Sequence, residues 1–505
     1  MRPLQQIETP VQTQLELPKT VQSMCPECDS FISATILEKD NKIWMEKECP
    51  KHGHFKDLIY SDAKLYKKIY QLGAKDVSRL ENPLKHNPEC NLNCGLCNNH
   101  ESRACLTNID LTNKCNLNCP ICFANANKQG YVYELTMEQA KDCLENIKKT
   151  NSPQKTNVVQ FSGGEPTVHP RFLEIVKMAK DLGFKHIQIA SNGIKLANSL
   201  EFAKKCKEAG LHTVYLQFDG TNDELYEKIR GLPLFETKKK AIENARKTGL
   251  KIILVPTMVK TINDKEVGRI LNFAIENSDV VSGISFQPVS FCGRINEKER
   301  LKQRYTLSDM AIDLEKQTGK VKAYEDFYPL SITAYFSKFY SAMLGYQTIN
   351  ISCHSDCGIG TYLIINKKTK ESIPITKIID VEKFMYELKD LMDNNHKAPR
   401  AFLLLKFFYL LKKNFKYENS PKSLTPLSIM REIAATVKHA KRGPEWTMLL
   451  VAGMHFQDKY DFNFDRIKKC VIHYSTPDGF IYPFCTYNSG PTYRKLVEAK
   501  FSRKI

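Results

Sequence analysis

Between residues 106 and 290, β-rich runs alternate with helical patterns, and this rhythm limits the possible folds more than any other feature. The strand-like runs fall at 109–112, 157–161, 186–190, 213–218, 251–258 and 284–288. Helical patterns fill 136–149, 171–182, 197–209, a stretch ending near 248, and 264–277. Neighbouring strands joined by helical crossovers must run parallel. Six such units form an open barrel rather than a closed eightfold one. The expected class is therefore α/β, a partial (β/α)6 barrel of the TIM type spanning 106–300. A metal-binding region over 1–105 precedes it, and a cysteine-bearing region over 301–505 follows.

The unusual residues of this frame gather at one rim. Cys115, Cys119 and Cys122 follow the first strand, and Gly163-Gly164-Glu165-Pro166 follows the second. Ser191-Asn192-Gly193 follows the third, and Gln217 and Asp219 end the fourth. Pro256 and Thr257 close the fifth, and Gln287 and Pro288 the sixth. All are carboxyl ends of strands, where barrel enzymes build their sites. Turn chemistry explains one Gly-Gly or Asn-Gly, but not six special loops on one face.

The chain holds 17 cysteines at short spacings with no export signal over 1–18. A disulfide scaffold is normally short and secreted, so the spacings read as metal sites in a reducing, cytoplasmic compartment. Three thiolates from Cys115-Asn-Leu-Asn-Cys119-Pro-Ile-Cys122 can hold three irons of a cubane and leave the fourth open. With the Gly-Gly-Glu-Pro loop, the barrel rhythm and Arg230-Gly231, the triad resembles the radical S-adenosylmethionine (radical SAM) superfamily. The resemblance implies a 4Fe–4S cluster whose open iron is chelated by SAM, and a 5′-deoxyadenosyl radical that abstracts hydrogen. It also implies backbone contact with the methionine amino group at Gly163 and Gly164, and loop support from Glu165 and Pro166. Ser191 and Asn192 suit ribose hydroxyls. Ile121 or Phe123 lies near adenine, with 287–289 opposite.

Three further metal sets are expected. Cys90, Cys94 and Cys97 repeat the triad spacing, and Cys105 stands eight residues beyond as a closing fourth ligand. Cys25-Pro-Glu-Cys28 and Cys49-Pro-Lys-His52 form two halves of a tetrahedral site for zinc or iron, with His54 or Cys105 as alternatives to His52. Cys353, Cys357, Cys470 and Cys485 form the last set. Pro477-Asp478-Gly479 reads as the turn of a hairpin joining the final two. Two auxiliary 4Fe–4S clusters and one mononuclear ion follow. Cys143 and Cys206 lie in helical patterns as packing residues, and Cys292 has no assignment.

The substrate is less legible. Net charge is +18, mostly lysine. No nucleic-acid motif accompanies it, which leaves a wet surface or an anionic partner. Residues 327–346 are aromatic and aliphatic. In 401–417, Lys406, Lys412, Lys413 and Lys416 share one arc, while Leu403, Leu404, Phe407, Phe408, Leu410, Leu411 and Phe415 mostly share the other. Two readings stand: an interfacial helix, too short to span a bilayer, or a core helix with one wet face. The overall cysteine arrangement resembles the archaeal tetraether lipid synthases. That resemblance implies C–C coupling of phytanyl chains of ether lipids, an anionic membrane surface as a peripheral docking place, and a ferredoxin-like low-potential donor. The alternatives are radical methylation of a pterin or another small molecule, and a non-catalytic iron–sulfur redox protein.

Overall fold

The computed structural model describes residues 15–73, 96–97, 99–150, 158–345, 350–395, 397–438, 445–490 and 492–504. The chain opens with an antiparallel meander of β1 (Lys19–Met24), β2 (Phe31–Lys39), β3 (Lys42–Cys49) and β4 (Gly53–Tyr60). In β3 every second residue, Ile43, Met45, Lys47 and Cys49, is buried, the period-two pattern of a sheet with one wet face. Asp40 and Asn41 join β2 to β3 with φ of 52° and 54°, the left-handed pair that a two-residue hairpin requires. Helix α1 (Ala63–Leu72) starts at Asp62, whose carboxylate accepts from the Leu65 amide at 2.7 Å.

The six expected strands form as β5 (Leu106–Thr112), β6 (Val158–Gly163), β7 (His186–Ser191), β8 (Thr213–Gln217), β9 (Lys251–Val255) and β10 (Val281–Pro288). Asn157, the first residue expected in β6, lies outside the described residues. All six run parallel in sequence order. Their outer faces carry Ile109, Val159, Phe161, Ile187, Ile189, Val214 and Leu254, each fully buried under helices. Each such side chain contributes roughly 1.5–3 kcal/mol. The crossover helix α2 (Met137–Thr150) buries Ala140, Cys143, Leu144 and Ile147, one helical stripe. Cys143 and, on α3 (Leu200–Ala209), Cys206 are core packing residues.

The sheet runs on past the expected barrel. β11 (Gly358–Asn366) lies antiparallel on β12 (Trp446–Met454), and β12 adds parallel to β10. At the other edge β13 (Ile472–Ser475) adds parallel to β5, and β14 (Ile481–Pro483) closes the hairpin on it. Eight parallel strands therefore stand in the order 13-5-6-7-8-9-10-12, with an antiparallel strand beyond each edge. The segment after residue 300 thus completes the barrel wall as well as carrying its own cysteines.

A helical layer covers the C-terminal side: α4 (Thr333–Leu344), α5 (Val381–Asn395), α6 (Arg400–Lys413) and α7 (Pro426–Lys438). Helix α6 buries Leu403, Phe407 and Leu411, four residues apart. Phe407 stacks on Phe339 at 4.3 Å. Lys413 pairs with Glu387 at 2.6 Å. Helix α6 therefore packs one face into the layer, while Phe402, Leu404, Leu405 and Tyr409 stay exposed on the other. No helix among the described residues is long and apolar enough to cross a membrane.

Candidate active site

The triad loop leaves β5 and is clipped by a residue the sequence reading missed. Asn127, at φ 64°, accepts from the Cys115 amide at 2.9 Å. Its Nδ2 donates to the carbonyls of Cys115 and Leu117 at 2.9 and 3.1 Å. Backbone amides of Leu117 and Ala126 point at the sulfurs of Cys115 and Cys122, each at 3.4 Å. Burial pushes the Cys115 thiol up to about 12 and raises Cys119. With Cys115 and Cys119 both raised, the two become thiolates together only beside concentrated positive charge, which iron would supply. Arg294 braces the loop from outside: its Nε donates to the Cys119 carbonyl at 2.7 Å. Its two buried Nη atoms have no hydrogen-bond partner among the described residues. Nothing in the local sequence marked Arg294 or Asn127.

The Gly-Gly-Glu-Pro loop locks onto this loop. A Cβ on Gly163, at φ 126°, would meet the Thr112 carbonyl oxygen at 2.2 Å, and one on Gly164 would meet the Lys114 oxygen at 2.2 Å. The amides of Gly164 and Glu165 donate to Thr112 and Lys114 at 2.7 and 2.9 Å. The glycines thus permit backbone-on-backbone packing that fixes the triad loop. Gly164→Ala is expected to displace the loop and lower turnover roughly a hundredfold, the scale of a 1 Å misplacement of reacting groups. SAM titration and turnover of the variant check this.

Buried Glu165 ties three strand ends together. One oxygen accepts from the Thr167 and Ser191 hydroxyls at 2.6 and 2.9 Å, the other from the Asn192 amide at 2.8 Å. Pro166 starts the short turn that follows. The Ser191 hydroxyl is thereby committed to Glu165, whereas the Asn192 side chain reaches Asn116 at 2.7 Å and the Cys115 sulfur at 3.9 Å. Asp219 is wholly buried and forks onto Arg230 at 2.7 and 2.8 Å, and Arg230 also donates to the Ile121 carbonyl at 3.0 Å. This carboxylate positions the loops rather than facing the cavity. Gln217 bonds Asp219 and accepts from Lys238 at 3.0 Å. Burial draws the Lys238 ammonium down to about 7.

The triad, Gly163, Gly164, Glu165, Ser191, Asn192, Gln217 and Gln287 all line one cavity of about 1200 Å³. Ile121 and Phe123 line it too. Ile121 packs against Val259 and Val289, and Phe123 against Phe484 at 5.3 Å. The cavity extends from the cysteines through the barrel interior to Phe336, Tyr340 and Leu411 of the helical layer.

At the N-terminal meander, Cys25, Cys28, Cys49 and His52 bring their ligand atoms within 4.8 Å of one another. Cys28 and Cys49 sulfurs are 3.9 Å apart, and His52 Nδ1 lies 3.6 and 3.5 Å from Cys25 and Cys49. A tetrahedral ion bonded to sulfur at about 2.3 Å and nitrogen at about 2.0 Å spaces its ligands roughly 3.5–3.8 Å apart. The donor set fits one zinc or iron. His54 and Cys105 stand outside it. Cys28→Ser is expected to remove about one bound metal ion per chain and lower the melting midpoint. Elemental analysis checks the count.

The C-terminal cysteines meet where the two sheet edges approach. Cys353 hydrogen-bonds Cys357 and, followed by Arg466, draws its thiol down to about 5. The Gln457 amide points at the Cys485 sulfur at 3.4 Å. Cys470 precedes β13, and Cys105 docks beside it through its amide to the Val471 carbonyl at 2.8 Å. Cys105 therefore lies near Cys353 and Cys470. Cys97 is linked to this region through His100, which bonds the Cys470 carbonyl at 2.8 Å. Cys90 and Cys94 lie outside the described residues. Among the described residues, buried Arg466 Nε and His473 Nδ1 have no hydrogen-bond partner, a setting that fits an anionic cluster.

Three convergent thiols at the head of a parallel barrel, locked by a Gly-Gly-Glu-Pro loop, define the radical SAM class, and residues 109–274 match the Radical SAM superfamily. The protein is a radical SAM enzyme using SAM and a 4Fe–4S cluster. It is 44% identical over 493 residues to the 7,8-dihydro-6-hydroxymethylpterin dimethyltransferase of Methanocaldococcus jannaschii, covering 96% of either chain, and it belongs to that enzyme's family. Residues 17–61 match the HMPTM N-terminal zinc ribbon domain. A probable GTP 3′,8-cyclase of the same organism is 31% identical over 176 residues, 35% of this chain and 55% of the relative. The crystal structure of Streptococcus suis SuiB bound to precursor peptide SuiA aligns at TM-score 0.34 and 19% identity, covering 43% of this chain and 46% of that one.

The full-length relationship overturns the expected lipid chemistry. A relative aligned from ribbon to C-terminus is named for a pterin, not an ether lipid. The ether-lipid substrate and the membrane surface fall with that reading.

Proposed function

We propose that this chain is a radical SAM methyltransferase acting on a pterin. One observation carries the reading: identity to the pterin dimethyltransferase runs through 96% of both chains, not the barrel alone. The GTP cyclases share only about a third of this chain, so a barrel-level likeness does not select GTP.

Cys115, Cys119 and Cys122 are assigned to the cluster, and Gly163, Gly164, Ser191, Asn192, Ile121, Phe123 and Gln287 to the walls around SAM. Glu165, Pro166, Gln217 and Asp219 hold those walls in place. Cluster and SAM, when bound, supply the one-electron chemistry that abstracts hydrogen from an unactivated carbon. The protein's share is to fix the triad loop through Asn127, Gly164 and Arg294 and to exclude water from the cavity. Cys25, Cys28, Cys49 and His52 are assigned to a mononuclear zinc or iron. Cys353, Cys357, Cys470 and Cys485 are assigned to one auxiliary cluster, and Cys90, Cys94 and Cys97 to a second. The regions 1–105, 106–300 and 301–505 serve as metal-binding entry, barrel and auxiliary-cluster region, and a low-potential donor supplies electrons.

The test is the anaerobic rate of 5′-deoxyadenosine formation with 7,8-dihydro-6-hydroxymethylpterin or GTP added. The pterin is expected to raise the rate and GTP to leave it unchanged. A rise with GTP alone would move the chain to the cyclase reading.

A further inference from the structure

We propose that Asn108 and Gln160, aligned by Gln188, form a recognition row inside the barrel for a flat, neutral nitrogen heterocycle that carries both hydrogen-bond donors and acceptors along one edge. This rests on the pterin reading and names the subsite that holds the ring.

The three residues occupy the same level of three neighbouring strands: Asn108 is in register with Gln160, and Gln160 with Gln188. Their side chains form a chain. Gln188 Nε2 donates to Gln160 Oε1 at 2.7 Å, and Gln160 Nε2 donates to Asn108 Oδ1 at 2.6 Å. Asn108 Nδ2 then donates to the His473 carbonyl at 3.1 Å. The far end is held by His186 at 2.9 Å from Gln188 Oε1 and by the Tyr215 hydroxyl. All three amides line the cavity that contains the cysteine triad.

Packing does not call for amides here. The alternate, outward positions of these strands carry Ile109, Val159, Phe161, Ile187 and Ile189, and similar residues would fill the inner face without polar atoms to satisfy. A primary amide has two N–H donors and two carbonyl lone pairs. Each link of the chain uses one of each, so Asn108 and Gln160 retain one N–H and one lone pair apiece. Buried polar groups of this kind find partners. Strand spacing sets them about 4.8 Å apart, so the free N–H groups can meet a ring carbonyl and the free lone pairs an amino or ring N–H group of a heterocycle edge.

A carboxylate partner for the ring is already taken. The two carboxylates among the described lining residues are Glu165 and Asp326. Glu165 is bonded to Thr167, Ser191 and Asn192, while Asp326 is bonded to Thr376 and to the Lys322 amide. A neutral row suits a neutral ring, because no ion must be stripped of water. Gln188 acts as a positioning residue, since its own bonds fix the direction in which Gln160 points.

The experiment is anaerobic fluorescence titration of the holoenzyme with 7,8-dihydro-6-hydroxymethylpterin, with the matching lumazine that carries oxygen in place of the 2-amino group, and with guanosine, which shares the pterin edge. Gln160→Met is expected to weaken pterin binding at least about tenfold and to narrow the preference for pterin over lumazine. Melting midpoint and iron content report whether the fold survives. Gln160→Glu, which keeps size and replaces the N–H donors with a carboxylate oxygen, gives a second reading if the methionine variant misfolds. Gln188→Met is expected to give a smaller loss in the same direction. Pterin binding by these variants within about twofold of wild type, with the preference intact, overturns the row. Failure of wild type to bind pterin while guanosine binds in a Gln160-dependent way rejects the pterin reading and keeps the row. Binding of neither ring rejects both.

Discussion

Cys119→Ala is expected to reduce 5′-deoxyadenosine formation to background. The loss exceeds the roughly 10–100-fold that follows from removing an outer-shell partner of a metal, because an iron ligand itself is gone. Cys119 is the middle thiol of the triad. Its carbonyl accepts from Arg294 at 2.7 Å, and burial raises its thiol with Arg230 offsetting only part of the rise. The substitution removes the sulfur while leaving the Asn127 clip and the Glu165 bracket in place. The loop is therefore expected to keep its path, and the auxiliary metals to remain bound. Visible absorbance, iron per chain and the yield of 5′-deoxyadenosine separate these effects. Full activity in the variant would move the catalytic cluster to another cysteine set.

The second large effect concerns stability. Arg304 is completely buried and bridges two carboxylates from distant parts of the chain. It reaches Asp57 of β4 at 2.8 and 3.0 Å, and Asp458, beyond β12, at 2.7 and 3.3 Å. Burial alone would raise Asp458, but Arg304 outweighs it and holds the carboxyl below its usual range. Arg300 adds a further bond to Asp57. Removing Arg304 leaves buried negative charge without its partner, so Arg304→Ala is expected to cost about 3–5 kcal/mol. Lysine should rescue little of this, because a single ammonium cannot fork onto two carboxylates. A chain with several metal sites does not unfold in one step, so the informative quantity is the shift in thermal midpoint. The shift should come with loss of metal from the meander, since Asp57 anchors that unit to the barrel. An unchanged midpoint would show that the network is dispensable.

The barrel was legible because parallel strands covered by helices read as short apolar runs between helical stripes. The expected run at 213–218 formed at Thr213–Gln217, and 186–190 formed at His186–Ser191. The Pro477-Asp478-Gly479 turn also formed: β13 and β14 pair around it, and Asp478 accepts from the Thr476 hydroxyl at 2.5 Å. What escaped was non-local. Nothing in the sequence of β12 or β13 says that they flank β10 and β5, because parallel pairing across hundreds of residues leaves no local signature. Cys105 was read with the nearby cysteines in sequence, and strand pairing sets both it and Cys97 beside Cys470, a placement no spacing announces. The amides at 108, 160 and 188 were passed over because each is ordinary alone, and only register makes them a row. The lipid reading failed at a different point. Metal-ligand spacing reports which cofactors a chain holds, but it is silent on what lies above them, and the pattern of α6 served equally for a core helix.

The most direct test of the central claim is the mass of the pterin itself. Loaded protein would be incubated anaerobically with SAM, a strong reductant, 7,8-dihydro-6-hydroxymethylpterin and a low-molecular-weight extract of Methanocaldococcus jannaschii as methyl source, with Cys119→Ala as the control. The account predicts a pterin heavier by one or two methyl groups, formed only with wild-type protein and only with SAM. Accumulation of 5′-deoxyadenosine beside an unaltered pterin would contradict it.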